Sequence, residues 1–489
     1  MNLKIFLATL FGLGFAVTAA GASRPNVLWI VVEDMSLPFG CYGETAIETP
    51  HVDALATSGI QYDRAFVTSP VCSASRSAMI TGMYQTSIGA HHHRSGRGSI
   101  KILLPGHILP LPALVRGAGY WTSNGVWPTS ANKLGRIGKT DYNFVWPEDM
   151  YDGATWDERA DDQPFFAQIQ LRGGKYRKVA ESNNWPEGWE KTSPARVNLP
   201  PYYPRDPVIL QDWADYLDSA RYVDHCVGQI VQKLKDDGDY ENTFIIFMTD
   251  HGISHARGKQ FCYEEGARIP FIIRGPGIEA GKVNADLVQQ IDMAPTTLGW
   301  VGVRVPESME GVQLFGMSYR PRDYLVVARD RCDETVDRIR AVRTARFKYI
   351  RNYYPARPHL QPCAYKDKKP IIQRIRELGA EGKLNDTQQT LLLSESRSPE
   401  EFYDLEADPF EIVNLALNPL YESAVATHRD MLRHWDEQTQ DQGKYPEPES
   451  MYNSDMKAYV IPMEKKDPEQ SKKILENIAQ MATWADEGK

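Results

Sequence analysis

Two short stretches carry side chains that are apolar in both directions: Asn26–Val32 and Thr243–Met248. A strand that is apolar on both faces must be covered on both, which points to a parallel sheet between helices rather than a half-exposed antiparallel one. Ile269–Ile273 reads as a third such strand, closed by Gly275-Pro276-Gly277. Between them Ile209, Trp213, Tyr216, Ala220, Val223, Val227, Ile230 and Leu234 recur at helical spacing, with Gly238 where a helix C-cap would fall. Strands alternating with helices give an α/β architecture. A chain of 489 residues exceeds one hydrophobic core. The texture changes near residue 320. Tyr324–Ala328 and Phe347–Arg351 read as strands, and Met431–Gln438 ends a polar helix. We therefore expect a catalytic domain over 23–320 and a smaller α+β domain over 321–489.

The first 22 residues belong to neither domain. Lys4, the apolar run Ile5–Val17 and Ala20-Gly21-Ala22 have the charge, core and cleavage pattern of a secretory signal peptide. That run is shorter than the roughly 20 apolar residues a membrane span needs. The expected location is periplasmic or secreted, with no membrane partner. A net charge of −9 leaves no basic excess for nucleic acid, although a local cationic cleft could still take an anionic substrate. Six cysteines in so long a chain make no disulfide framework. Cys332 and Cys363 could pair in an oxidising compartment, while Cys226 falls on the apolar helical spacing and reads as core.

The chemistry concentrates at strand ends. The first strand runs into Glu33-Asp34 and the second into Asp250-His251. In open parallel sheets ligands bind at the carboxyl ends of strands, so the two pairs can converge on one cation. Carboxylates suit Ca²⁺ or Mg²⁺, and a histidine also suits a softer metal. Taken singly, each pair is ordinary polar capping of a strand. Between them lies Pro70-Val71-Cys72-Ser73-Ala74-Ser75-Arg76, where the apolar positions Met79, Ile80 and Tyr84 imply a helix beginning near Cys72. A helix N-terminus favours a bound anion, and Arg76 stands one turn along.

Cys72-Ser73-Ala74-Ser75-Arg76, continuing to Thr81-Gly82, resembles the signature of the type I sulfatases in the alkaline-phosphatase-like superfamily. The third place holds Ala74, a permitted variant. The Asp250 and Lys259 segments match in order, and Glu401–Leu405 with Asp408-Pro409 resembles the C-terminal segment of the family. The resemblance implies an alkaline-phosphatase-like sandwich: a large, mostly parallel central sheet between helices, plus a C-terminal α+β part with an antiparallel sheet. It also implies that a sulfatase-maturing enzyme oxidises Cys72 to formylglycine. One hydroxyl of the hydrated aldehyde would attack sulfur, and the other would then expel sulfate by restoring the aldehyde. Glu33, Asp34, Asp250 and His251 resemble the ligands of one Ca²⁺, with the modified Cys72 completing the shell. Arg76 would stabilise the attacking alkoxide, and Lys139 and Lys259 would bind sulfate oxygens.

Several positions depart from the family pattern. Glu33 replaces the commoner Asp, His251 stands where Asn is frequent, and Asp141 occupies the place of a histidine. The strand Pro164–Gln170 is followed by Leu171-Arg172-Gly173-Gly174 rather than by a catalytic histidine. The proton donor must then come from elsewhere, and His255 and His93 are the candidates. Within His91-His92-His93, a polar loop and a contact to a sulfated sugar are equally good readings. Arg94, Arg97, Arg172, Arg257 and His255 would form a cationic rim, with His93, Arg172 and Arg257 as substrate contacts. Trp127, Trp146 and Trp156 could stack on sugars but more often serve cores.

The segments at 139–144 and 168–174 resemble a glycan-active branch that also contains heparan N-sulfatase-like enzymes. The expected substrate is a sulfated polysaccharide or its oligosaccharides, with carrageenan or ulvan first and a glycosaminoglycan second. A homodimer is left open. One rival is a phosphatase or phosphonate hydrolase of the same superfamily, which would usually carry a Thr or Ser nucleophile. Another is a non-catalytic glycan binder, which should lack Cys72 or the two lysines.

Overall fold

The computed structural model describes residues 24–128 and 137–489. The export segment expected over 1–22 lies outside them. Seven strands form the main sheet: β1 (Asn26–Val32), β2 (Ile60–Phe66), β3 (Trp121–Val126), β4 (Phe165–Leu171), β5 (Thr243–Thr249), β6 (Phe271–Arg274) and β7 (Lys282–Gln289). Their spatial order is β3-β4-β1-β5-β6-β2-β7. β1 pairs in parallel with β4 and β5, β3 with β4, and β2 with β7. β6 is antiparallel to both neighbours, so it alone is reversed. This corrects the expectation for the third apolar strand. Its residues are as buried as those of β1, so composition does not distinguish the two directions.

Alternate residues of β1 enter two different cores. Val27, Trp29 and Val31 pack on one face, and Leu28, Ile30 and Val32 on the other. The long helix Pro207–Asp236, started by Asp206 accepting from the Val208 N–H, supplies Leu217, Ala220, Val227 and Ile230 to the second core. Cys226 is buried on this helix. Trp156 belongs to the same core, stacked on Phe165 at 5.4 Å. Trp146 packs edge-on against Tyr142. Neither of these two indoles is placed to stack on a sugar.

The C-terminal region adds a four-stranded antiparallel sheet of β8 (Tyr324–Arg329), β9 (Ile339–Thr344), β10 (Phe347–Asn352) and β11 (Glu400–Asp404). The helix Glu422–Thr439 packs on it through Val425, Leu432 and Trp435. Two more helices, Glu449–Lys466 and Pro468–Asp486, follow; the second is amphipathic, burying Ile474 and Met481, whereas the first carries Pro462 in its interior. Cys332 and Cys363 are free thiols, with Gln260 Nε2 lying 3.1 and 3.3 Å from their sulfurs. Among the described residues no helix is long and apolar enough to cross a membrane.

Register positions the site. Val32 lies opposite both Leu171 of β4 and Thr249 of β5, so the three central strands end level with one another. Residues 33–34, 172–175 and 250–251 therefore share one rim. Backbone bonds tie that rim together: Gly174 donates to the Glu33 carbonyl at 2.8 Å, and Met35 to the His251 carbonyl at 3.0 Å. A Cβ on Gly174 would stand 2.1 Å from the Asp34 carbonyl oxygen. Gly174→Ala should therefore cost about 1–3 kcal/mol through overpacking, read as a lower urea midpoint. An unchanged midpoint would show that the rim can give way there.

Candidate active site

The helix Cys72–Thr81 is buried at every residue and ends on Gly82, whose left-handed backbone (φ 65°) lets its N–H reach the Ala78 carbonyl. No side chain caps its N-terminus, so the first-turn N–H groups face the strand-end rim without a side-chain acceptor. Cys72, 2% exposed, is the meeting point. Its Sγ lies 3.1 Å from His251 Nε2, 3.1 Å from Lys259 Nζ, and 3.6 Å from Asp34 Oδ1 and Lys175 Nζ.

Asp34, Cys72, Asp250 and His251 each present one donor atom within 4.8 Å of the others. His251 Nε2 is 3.2 Å from Asp34 and 3.6 Å from Asp250, while its Nδ1 side lies 2.8 Å from the Gly252 carbonyl. If Nδ1 donates to that carbonyl, Nε2 is left as the inward-facing donor atom. The Asp34 N–H donates to Asp250 Oδ1 at 3.0 Å, joining the two strand ends directly. Two carboxylates, an imidazole and the Cys72 side chain have the composition of a divalent-cation cradle. Glu33, expected as a fourth protein ligand beside Asp34, is outside that set. Its carboxylate is held by Lys139 at 2.8 Å and by Lys175.

The basic groups surround this cluster. Arg76 is 1% exposed. It donates through Nε to Asp250 at 3.0 Å and through Nη1 to Gln170 Oε1 at 2.6 Å, leaving Nη2 buried without a partner. Lys259 lies 3.3 Å from Asp34. Lys139 also lies 3.4 Å from Asp141, which Arg97 contacts from its other side. Burial alone would raise the pKa of Asp34, but Lys175, Lys259 and His251 hold it well below the usual carboxylate range. Burial opposes ionisation of Cys72 too, yet Lys139, Lys175 and Lys259 pull its thiol well below the ordinary value. An anion at residue 72 is thus strongly favoured. Five of the eight non-glycine residues with positive φ among the described residues are Asp34, Arg94, Asp141, Gln260 and Asp333. All five lie in or beside this cluster, as strained backbone often does at functional sites.

The two histidine candidates separate. His255 is buried with Nε2 2.6 Å from Asp212 and its ring packed on Trp213, so its polar partner lies outside the Cys72 cluster. Burial lowers its pKa to about 4 despite Asp212, a poor property for a proton donor. His93 has a ring nitrogen within 4.8 Å of both Cys72 and Asp141. Its Nδ1 is 3.2 Å from Asp333, and its Nε2 is buried without a partner. Burial opposes its protonation, but Cys332 and Asp333 push its pKa up to about 10. His91 is buried and His92 faces Glu447 at 3.9 Å.

Arg172 is exposed, stacked over Tyr176 at 4.1 Å. With Glu33, Lys139, Gln170 and Trp127 it lines a cavity of about 810 Å³. Arg257 does not join this rim. It is 1% exposed, lies over the Tyr263 ring at 3.7 Å and donates to the Glu411 carbonyl. Its charge is used inside the fold, where aromatic faces and a carbonyl replace water.

Three residues at the site escape sequence reading. Lys175 follows β4 on the same rim as Glu33; the strand-end rule applied to β4 would have found it. Asp333 and Tyr365 have no local signal. Tyr365 donates to Asp34 Oδ2 at 3.1 Å across 331 residues of chain.

A helix that begins at a buried cysteine, set against an acidic cradle on the ends of parallel strands with lysines and arginine around it, fits a hydrolase of anionic esters. The chain belongs to the sulfatase family, whose pattern matches residues 25–303, and is a hydrolase of sulfate esters. A second pattern, N-sulphoglucosamine sulphohydrolase C-terminal, matches residues 251–360. An ulvan-active sulfatase of Formosa agariphila is 34% identical over 87% of this chain and 77% of its own length. Human N-sulphoglucosamine sulphohydrolase is 25% identical over 86% and 91%. A structure solved with D-glucosamine-2-N,6-O-disulfate as its substrate shares the fold at a TM-score of 0.57 and 20% identity, over 86% of this chain and 98% of its own.

Removing Arg76 would leave Asp250 buried without its cation. Arg76→Ala should then cost about 3–5 kcal/mol in denaturant unfolding. A loss below about 1 kcal/mol would mean that water or Lys139 takes over the carboxylate.

Proposed function

We propose that this chain is an exported sulfatase that removes sulfate esters from a sulfated polysaccharide or its oligosaccharides, through formylglycine at Cys72 and one bound Ca²⁺. The observation that carries the reading is the convergence on Cys72 of His251 and Lys259, each at 3.1 Å, and Asp34 at 3.6 Å. An oxidisable residue sits there inside an acidic cradle and a ring of cations. The Cys72 sulfur stands in for the oxygen of the modified residue. With that oxygen in place the donor set is mainly hard oxygen, which suits calcium.

Hydrated formylglycine at residue 72 would supply one hydroxyl to form the bond to sulfur as the sugar oxygen leaves, and deprotonation of the other would restore the C=O by breaking the carbon–oxygen bond that carries the sulfate. Calcium in the Asp34–Asp250–His251 cradle would polarise a sulfate oxygen and favour the ionised nucleophile. The chain's own groups do the rest. Arg76, whose Nη2 is buried without a partner, would stabilise the charge developing at residue 72, and Lys139, Lys175 and Lys259 would bind the remaining sulfate oxygens. Glu33 holds Lys139 and Lys175 in place. As the S–O bond to the sugar breaks, the departing oxygen needs a proton. His93 provides it from Nε2, oriented by Asp333 at Nδ1.

An ulvan-type polysaccharide is the preferred substrate, supported by the identity to the ulvan-active enzyme. A heparan-type N-sulfated or O-sulfated glycan is the second reading, supported by the pattern over 251–360. The phosphatase reading is weaker, because nothing in it calls for a cysteine at the centre of the cluster.

Mass measurement of the peptide spanning Cys72, after co-expression with a maturing enzyme, should show the aldehyde together with sulfate release from ulvan fragments. Unmodified Cys72 in protein that cleaves phosphate esters would refute the reading. Chelator-stripped protein should unfold earlier than calcium-loaded protein, by about 2.7 kcal/mol when calcium is 100-fold above its Kd. Asp250→Asn should shrink that gap. His93→Gln should lower kcat on sugar sulfates by about 10²–10⁴-fold, but far less on an aryl sulfate whose leaving group needs no proton. Equal losses on both substrates would remove His93 from the role of acid.

A further inference from the structure

A proton donor has to touch the oxygen that leaves, so the position of His93 dictates where the desulfated sugar lies. His93 lines a second cavity, of about 300 Å³, between the loop at residues 93–97 and the helix Glu449–Lys466. That volume stands at the small end of ligand pockets. Tyr459, Met456 and Met463 give it an apolar wall, and Tyr459 is half-buried. An aromatic ring in such a place can stack on the C–H face of a sugar.

Its charges are unequally committed. Asp333 is engaged by His93 and by Arg94 at 3.6 Å. Asp455 accepts the N–H groups of Gly96, Arg97 and Gly98 and pairs with Arg331, which is itself buried against Glu447. The acids in the wall are therefore consumed inside the protein. The side chains that face the opening are basic. Arg94, shared with Asp333, is 41% exposed and keeps a buried Nε without a partner; Arg97, shared with Asp141, is 38% exposed; and Lys466 is exposed at the helix end, with no carboxylate partner among the described residues. On a chain of net charge −9, this is a local reversal of sign.

We propose that this cavity is the subsite for the leaving sugar, and that it selects a sugar unit carrying a second anionic group, either a carboxylate or another sulfate. The proposal rests on the reading of His93 as the proton donor. Tyr459 forms the platform, and Arg94 and Lys466 meet the anion from opposite walls. The C-terminal helix, remote from the nucleophile in sequence, thereby sets specificity.

The test uses matured, calcium-loaded enzyme and three sulfated disaccharides that differ in the unit beside the scissile ester: a uronate, a second sulfate or a neutral sugar. Wild-type enzyme should favour an anionic disaccharide over the neutral one through KM. Lys466→Glu, at an exposed position, should raise that KM about tenfold for the anionic disaccharide and far less for the neutral one. Tyr459→Ala should weaken all three. Whichever anionic disaccharide loses its advantage identifies the group that is bound. No preference in wild type, or an unchanged KM in Lys466→Glu, overturns the proposal. If none of the three is desulfated, the polysaccharide reading itself has failed. Calorimetric titration of the same sugars then still decides the subsite, since the charge reversal must weaken anionic sugars alone.

Discussion

Everything at the site depends on mutual neutralisation of charges that none of them could carry alone in a dry interior. Glu33, Asp34, Asp141 and Asp250 stand among Arg76, Lys139, Lys175 and Lys259, and most of these side chains are nearly or fully buried. An unpaired buried ion is costly, so the arrangement is stable only if the strand ends that bring the acids and the helix and loops that bring the bases arrive in register. The level ending of β1, β4 and β5 supplies that register. The same balance explains why Glu33 sits outside the four-donor cluster: its longer side chain reaches the two lysines instead.

What was legible in the sequence follows from this geometry. The acidic pairs after β1 and β5 could be read because an apolar strand ending in two polar side chains is a local pattern. The helix starting at Cys72 and the long helix Pro207–Asp236 were legible for the same reason. The reversal of β6 was not, since direction is a property of connections and not of side chains. Nor was the fate of Arg257 and His255. Both lie in a polar stretch between His251 and Lys259, and only packing shows that one fills an aromatic box and the other binds Asp212. Tyr365 and Asp333 come from beyond the first sheet and have no neighbour in sequence to betray them.

The three consecutive histidines illustrate how finely such a loop is sorted. His91 goes to the interior, His92 turns to Glu447 and His93 turns to Asp333, with a ring nitrogen within 4.8 Å of Cys72. Arg94 holds a left-handed backbone (φ 60°), and its N–H donates to Ser73 Oγ, beside Cys72. The loop is thereby pinned to the helix that begins at Cys72.

Asp34 and Tyr365 meet across most of the polypeptide, and the wall facing His93 is made by residues after 449. A ribosome delivers the acids and the nucleophile long before their last partners. The nascent chain therefore holds a crowded acidic rim before Tyr365 and before the helix that faces His93 have been made. Order of synthesis thus separates the acidic rim and Cys72 from the C-terminal residues that complete their surroundings.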